Sequence, residues 1–246
     1  MGAEQFRVGS SILERWQDAV DQCVEQIGSQ RCLENLGFIY TTDSHVDALA
    51  EIVQRLKDKT GISHWVGTTG IGILHTGRED YERPSITVMA CCFPESSFRV
   101  FPSVQDDLED FDLQYRDWFS ENVQNFAVVH AAPETPDLQQ LIPDLSEKLN
   151  GGYLVGGLTS SHSRNLQVAD TIASGGLSGV LFSEKVSVCT GLTQGCSPIG
   201  PKRTITEVNR NIVVRIDERP ALDLSLIHIS EPTRPLYISY AVFCLK

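Results

Sequence analysis

The chain has 246 residues, 41% of them hydrophobic, with 32 acidic side chains against 20 basic ones and a formal net charge of −12. So acidic a chain repels phosphate backbones and anionic bilayers, which argues against sequence-independent nucleic-acid binding and against docking on acidic membranes. No stretch approaches the roughly 20 apolar residues of a membrane helix. The opening MGAEQFRVGSSILERW lacks the charged-then-apolar build of a secretory signal, and Phe6 departs from the myristoylation pattern. The expected location is therefore the cytoplasm.

The first element in chain order is a helix. Ile12, Leu13, Trp16, Ala19, Val20, Cys23, Val24 and Ile27 recur at three- and four-residue steps and form one apolar stripe. LGFIYTT (36–42) reads as a strand, and Asp43 or Ser44 is placed to cap the next helix. That helix buries Ala48, Leu49, Ile52, Val53 and Leu56, and Gly61 stops it. HWVG (64–67) then enters the glycine-spaced segment TTGIGILHTG. SITVMACCF (85–93) and SFRVF (97–101) follow as strands joined at Pro94.

The acidic run QDDLEDFD (105–112) leads into a short helix with Trp118 and Phe119, and NFAVVHAA (125–132) is a buried strand. Thr135 and Pro136 make a helix start, and Leu138, Leu141, Ile142, Leu145 and Leu149 form its stripe. Pro143 argues for a kink or a late start, and Asn150-Gly151-Gly152 ends the helix. YLVGGLTS (153–160) repeats the earlier passage from an apolar strand into glycines and hydroxyls. GLSGVLFS, VSVCTGLTQG and the pair ITEV/NIVVRID read as further strands.

This order predicts an α/β to α+β fold, a layered domain with a mixed β-sheet and packed helices. The expected organisation is an N-terminal helix region over 1–30, one main domain over 31–223, and a tail over 224–246. The tail reads differently from the rest. LSLIHISEPTR and ISYAVFCLK are what a common sequencing-library adapter gives when translated, with Pro235, Leu236 and Tyr237 where a short index would fall. The native reading frame is expected to stop near Asp223, and such scars are set aside in fold reasoning.

Outside the tail the cysteines are Cys23, Cys32, Cys91, Cys92, Cys189 and Cys196. No Cys-x-x-Cys or paired Cys/His clamp appears, so no metal or other cofactor is expected. Cys91 and Cys92, neighbours on a strand, should face opposite sides and stay reduced. GTTGIG has the wrong spacing for a dinucleotide loop, and GGLTSSHS has neither a nucleophile elbow nor a P-loop lysine. His130 and His162 are placed to act as acid or base, although a structural or solvated role is the simpler reading. Cys196 sits in the compact segment Gln194-Gly195-Cys196-Ser197-Pro198, where a nucleophile would need a base nearby.

Glycine at a strand's C-terminal end lets a ligand approach the backbone, and adjacent hydroxyls can bond to it. Thr68, Thr69, Gly70, Gly156, Gly157, Thr159 and Ser160 are therefore the candidate ligand-binding residues. The two strand exits that carry them, His64–Gly70 and Tyr153–Thr159, are comparable, but too few identities support a duplication. If both exits share one orientation, they should converge at one edge of the sheet.

Several segments together resemble the FIST domain family: HWVGTTGIGIL, YERPSITVMACCF, YLVGGLTSS, SGGLSGVLFS and LTQGCSPIGPKRTITEVNRNIVVRIDERPALD. The last is the most specific, with Gln194, Gly195, Cys196, Pro198 and Gly200 in its turn and Arg219, Pro220, Ala221, Leu222 and Asp223 at its exit. The resemblance covers roughly residues 30 to 223 and carries over no catalytic motif. It implies a small-ligand sensor for signal transduction, with amino acids as a ligand class. It also implies a relay to a signalling or ubiquitin-ligase partner, and a second, C-terminal FIST domain missing after Asp223. Two other readings stay open: an enzyme using Cys196 or a histidine, and an interaction scaffold that binds no ligand.

Overall fold

The structure, a computed structural model, describes residues 6–28, 34–122, 125–191, 201–210 and 212–224. The chain divides into two units, 1–189 and 190–246. The first begins with β1 (Phe6–Ser11), α1 (Trp16–Ile27), β2 (Leu36–Thr42), α2 (Leu49–Thr60) and β3 (His64–Gly70). A hairpin of β4 (Gly72–His75) and β5 (Arg78–Tyr81) follows, and then β6 (Ile86–Cys91). β6 lies between β1 and β2, antiparallel to both, while β2 and β3 run parallel.

The same path is then repeated. β7 (Phe98–Val104), α3 (Glu109–Glu121), β8 (Asn125–Ala131), α4 (Leu138–Lys148) and β9 (Tyr153–Leu158) lead to a hairpin of β10 (Leu166–Ala169) and β11 (Thr171–Ser174), and to β12 (Leu177–Ser183). β12 lies between β7 and β8, antiparallel to both, and β8 and β9 run parallel. The strand orders are β1-β6-β2-β3 and β7-β12-β8-β9, so the two halves share one topology. They differ in their hairpins. β10 and β11 extend the first sheet beyond β3, whereas β4 and β5 pair only with each other, which leaves β9 at a sheet edge.

Alternation along the strands sorts buried side chains into three cores. Ile39, Trp65, Ile86 and Val88 pack on α1 and α2, through Ala19, Val20, Ile52 and Leu56. Ala127, Val129, Leu177 and Leu181 pack with Phe111, Trp118, Leu141 and Leu145 of α3 and α4. The opposite faces, with Leu36, Phe38, Val66, Phe98, Val180 and Phe182, meet between the sheets. The order is helix–sheet–sheet–helix, and full burial of each such side chain contributes about 1.5–3 kcal/mol. Trp65 is fully buried, and Gly37, its register partner on β2, leaves room for it: a Cβ there would lie 2.5 Å from the indole ring.

Gly61 ends α2 in a left-handed conformation (φ 75°) and donates its N–H to Lys57 O at 2.9 Å. Asp43 and Ser44 open a 3-10 turn over Asp43–Ala48 rather than capping α2 by a side-chain hydrogen bond. α4 starts at Leu138 and continues through Pro143. The segment expected to hold only a helix before residue 30 also contributes β1, and the 186–191 part of VSVCTGLTQG is not a strand. Cys91 is buried between the sheets, and Cys92, just past the end of β6, is partly exposed. Both are free thiols.

The second unit contains β13 (Ile205–Asn209), β14 (Ile212–Ile216) and β15 (Arg219–Pro220), an antiparallel sheet. Asp217 accepts the Thr204 N–H at 2.9 Å and an Arg203 N–H at 3.0 Å, and these bonds lower its pKa. Of the tail, only Leu224 is among the described residues.

Candidate functional site

The two glycine exits converge. Gly70, ending β3, forms a parallel bridge with Ser160, just past β9, and the hydroxyls of Thr68 and Thr159 lie 2.8 Å apart. Both strands are the third of their half, so the halves meet at the C-terminal ends of equivalent strands. The hydroxyls, however, are engaged within the fold. Thr68 donates to Leu166 O at 2.9 Å, and Thr69 Oγ1 accepts the Leu166 N–H at 3.2 Å and bonds to Arg164 O at 3.2 Å. They stitch the 159–166 segment to β3.

Gly156 and Gly157 do different work. Gly156 faces the α3–α4 layer, and a Cβ there would lie 1.9 Å from Val129 O on β8. Gly157 faces the other way, with nothing within 4 Å of a Cβ. Gly157→Ala should therefore change stability by less than about 0.5 kcal/mol, whereas Gly156→Ala should cost more than about 2 kcal/mol. Urea midpoints of the two variants check this.

Next to the convergence a crevice of about 280 Å³ opens beyond the ends of β2 and β3. It is lined by Thr42, Asp43, Ser44, Ile71, Glu82, Arg83 and His162. None of the seven candidate residues lines it directly, although Gly70 adjoins Ile71, and Ser160 precedes the loop that supplies His162. Asp43 holds that loop, with one carboxylate oxygen accepting Ser161 Oγ–H at 2.5 Å and the other the His162 N–H at 2.8 Å. Arg83 uses Nε on the fully buried Asp80 at 3.1 Å, and Asp80 also takes Arg78 Nε at 3.0 Å and the Ser85 hydroxyl at 3.1 Å. The Arg83 Nη atoms and the Glu82 carboxylate have no partner among the described residues. A cationic fork and two carboxylates thus share one concave site. The corresponding crevice of the second half, about 660 Å³, is lined by Pro133, Thr135, Asp137, Leu138, Gln139, Gln140 and Leu158, and holds no cation.

Between the sheets, His130 and Tyr40 occupy equivalent places. Ile39 pairs with Gly67 as Val129 pairs with Gly156, so Tyr40 corresponds to His130 one residue on. The two side chains meet, with Tyr40 Oη 3.1 Å from His130 Nε2. Burial pushes the imidazole pKa down to about 4 and the phenol up to about 12, so both are neutral near pH 7. His162, by contrast, is exposed at the crevice rim.

The FIST N domain family matches residues 35–219, about three quarters of the chain. The chain belongs to the FIST family. As a FIST N domain it is a signal-transduction sensory domain in general terms. No curated protein matches it. Within this FIST N domain, Gln194, Gly195, Cys196, Pro198 and Gly200 lie outside the described residues, so the nucleophile reading of Cys196 has no geometry to weigh. Among the described residues no cluster of three or more His, Cys, Asp or Glu could hold a metal ion, and no helix is long and apolar enough to cross a membrane.

Sequence reasoning reached the convergence and both histidines but missed Arg83 and Glu82. They lie in the YERP segment after β5, and no local pattern distinguishes them from a solvated turn. The available signal was topological: crevices form outside the C-terminal ends of parallel strands, and β2 and β3 form such a pair.

Proposed function

We propose that this FIST N domain senses a small zwitterionic ligand of the amino-acid class in the crevice beyond β2 and β3. The observation that carries the reading is the pairing of Arg83 with Glu82 and Asp43 in one cleft of about 280 Å³. Arg83 presents a fork that suits a ligand carboxylate, Glu82 and Asp43 suit its ammonium, and Ile71 offers an apolar wall. Thr68, Thr69, Gly70, Thr159 and Ser160 serve this reading as the frame that holds Ile71 and the 161–164 loop beside β2. Occupancy has a direct route to a signal. A ligand ammonium competes for the Asp43 carboxylate that pins Ser161 and His162, which shifts the loop between the two halves.

Calorimetric titration of the full chain with the twenty amino acids tests the reading. At least one should bind, its decarboxylated and deaminated analogues should not, and Arg83→Gln should weaken binding at least about tenfold. The variant should still fold, because Arg78 stays on Asp80 and the Arg83 side chain is 48% exposed. Absence of binding by every amino acid would overturn the proposal.

A further inference from the structure

The two halves are alike around Tyr40 and His130, but only one side of that pair is filled. On the filled side Thr68 is the β3 neighbour of Tyr40, and Ser178 is the β12 neighbour of His130. Gln167 of β10 lies beside Thr68, fully buried. Its carboxamide oxygen accepts Ser178 Oγ–H at 2.6 Å, and its Nε2 donates to Gly176 O at 2.9 Å.

On the other side the corresponding positions are Thr87, the β6 neighbour of Tyr40, and Gly157, the β9 neighbour of His130. The correspondence extends to the backbone: Ala132 N–H donates to Gly176 O at 2.9 Å, and Thr42 N–H donates to Ser85 O at 3.0 Å. Among the described residues no side chain bonds Thr87 as Gln167 bonds Ser178, and β4 does not join β9 as β10 joins β3. Two groups are stranded there. Thr87 Oγ1 and His130 Nδ1 are buried without a hydrogen-bond partner among the described residues, in residues only 5% and 4% exposed. A buried polar group without a partner is costly and calls for a ligand or a water. Beside them Gly157 is exposed and carries no side chain, and a Cβ there would meet nothing within 4 Å.

We infer that this half-site, between Thr87, His130 and Gly157, binds an uncharged carboxamide in place of the missing glutamine. The carboxamide oxygen accepts the Thr87 hydroxyl, and its N–H donates to His130 Nδ1, in the tautomer whose Nε2–H donates to Tyr40 Oη. A charged group is disfavoured, because the buried Asp80 bonded to Ser85 is already held by Arg78 and Arg83, and Tyr40, Met89, Val128 and Val155, which alternation places on the same faces as Thr87 and His130, are uncharged. The site is separate from the strand-end crevice and does not depend on the function proposed there. Its carboxamide has two sources, a free small molecule or a glutamine on a strand added to the edge of β9, where Tyr153, Val155 and Leu158 are exposed.

Nitrogen NMR of the imidazole in the full chain tests this with three probes: propionamide, propionate, and a peptide copying residues 165–172. Propionamide should shift the His130 Nδ1 signal saturably. Propionate should act at least about tenfold more weakly, and Thr87→Val should weaken propionamide by a similar factor. Thr87→Val removes an unpartnered hydroxyl at nearly constant volume, so an unchanged or raised melting temperature confirms that it folds. Tighter binding by the peptide than by propionamide supports the site with a strand as its source, and weaker binding supports it with a free ligand. A signal that no probe moves, that propionate moves equally, or that responds unchanged in Thr87→Val would overturn the inference and leave a buried water as the partner of both groups.

Discussion

Gly67→Ala should destabilise the protein by more than about 3 kcal/mol, enough to leave much of a marginally stable domain unfolded. Gly67 lies mid-strand on β3 and faces α1 and α2, where the sheet is pinched: an added Cβ would sit 1.7 Å from Ile39 O on β2. The obstacle is backbone, not a side chain that can turn away, so relief requires β2 and β3 to separate. Gly156 stands in the same place in the second half, against Val129 O. The two glycines are thus the same solution used twice, a close parallel strand contact under a helix layer. Chemical denaturation of Gly67→Ala checks the size of the effect; a loss below about 1 kcal/mol would show that the strand pair yields easily.

Acidification should expose the second large effect. An unfolded chain protonates histidine near pH 6.5, whereas burial holds the His130 pKa at about 4. Between those values the unfolded state binds the extra proton, so stability falls as pH drops from 6.5 towards 4 and is unaffected above that window. The full difference is about 3 kcal/mol, with about 2 kcal/mol already lost near pH 5. His45, also buried and shifted down by desolvation, acts in the same direction. His130→Gln isolates the part due to His130, since its terminal amide reaches the place of Nε2 and can still meet Tyr40 Oη. The variant should lose about 2 kcal/mol less than the parent on going from neutral pH to pH 5, measured by urea midpoints. Parallel pH curves for the two proteins would contradict the assignment.

Much of the layered fold was legible because its strands and helices are strongly patterned. LGFIYTT, NFAVVHAA and GLSGVLFS announce buried strands, and the stripes of α1, α2 and α4 stand out at helical spacing. β1 was hidden because FRVGSS pairs as an edge strand whose buried face carries Arg7, Gly9 and Ser11 while Phe6 and Val8 are exposed, so its alternation is not an apolar one. β10 and β11 are four residues each, below the length at which periodicity registers. The duplication was glimpsed in HWVGTTG and YLVGGLT, but it became clear only from register, since equivalent positions hold Tyr40 and His130, or Thr87 and Ser178. The crevice was least legible. Arg83, Glu82 and Asp43 are dispersed in sequence and gathered only by parallel pairing of β2 with β3, while the more visible threonines are occupied in holding the fold.

Amide chemical-shift mapping of the full chain, with a saturating amino acid chosen by calorimetry, tests the central claim most directly. The proposed sensor predicts perturbations concentrated at Asp43, Ser44, Ile71, Arg83 and His162, together with the loop that Asp43 pins. Perturbations confined to other surfaces, or none with any amino acid, would contradict it.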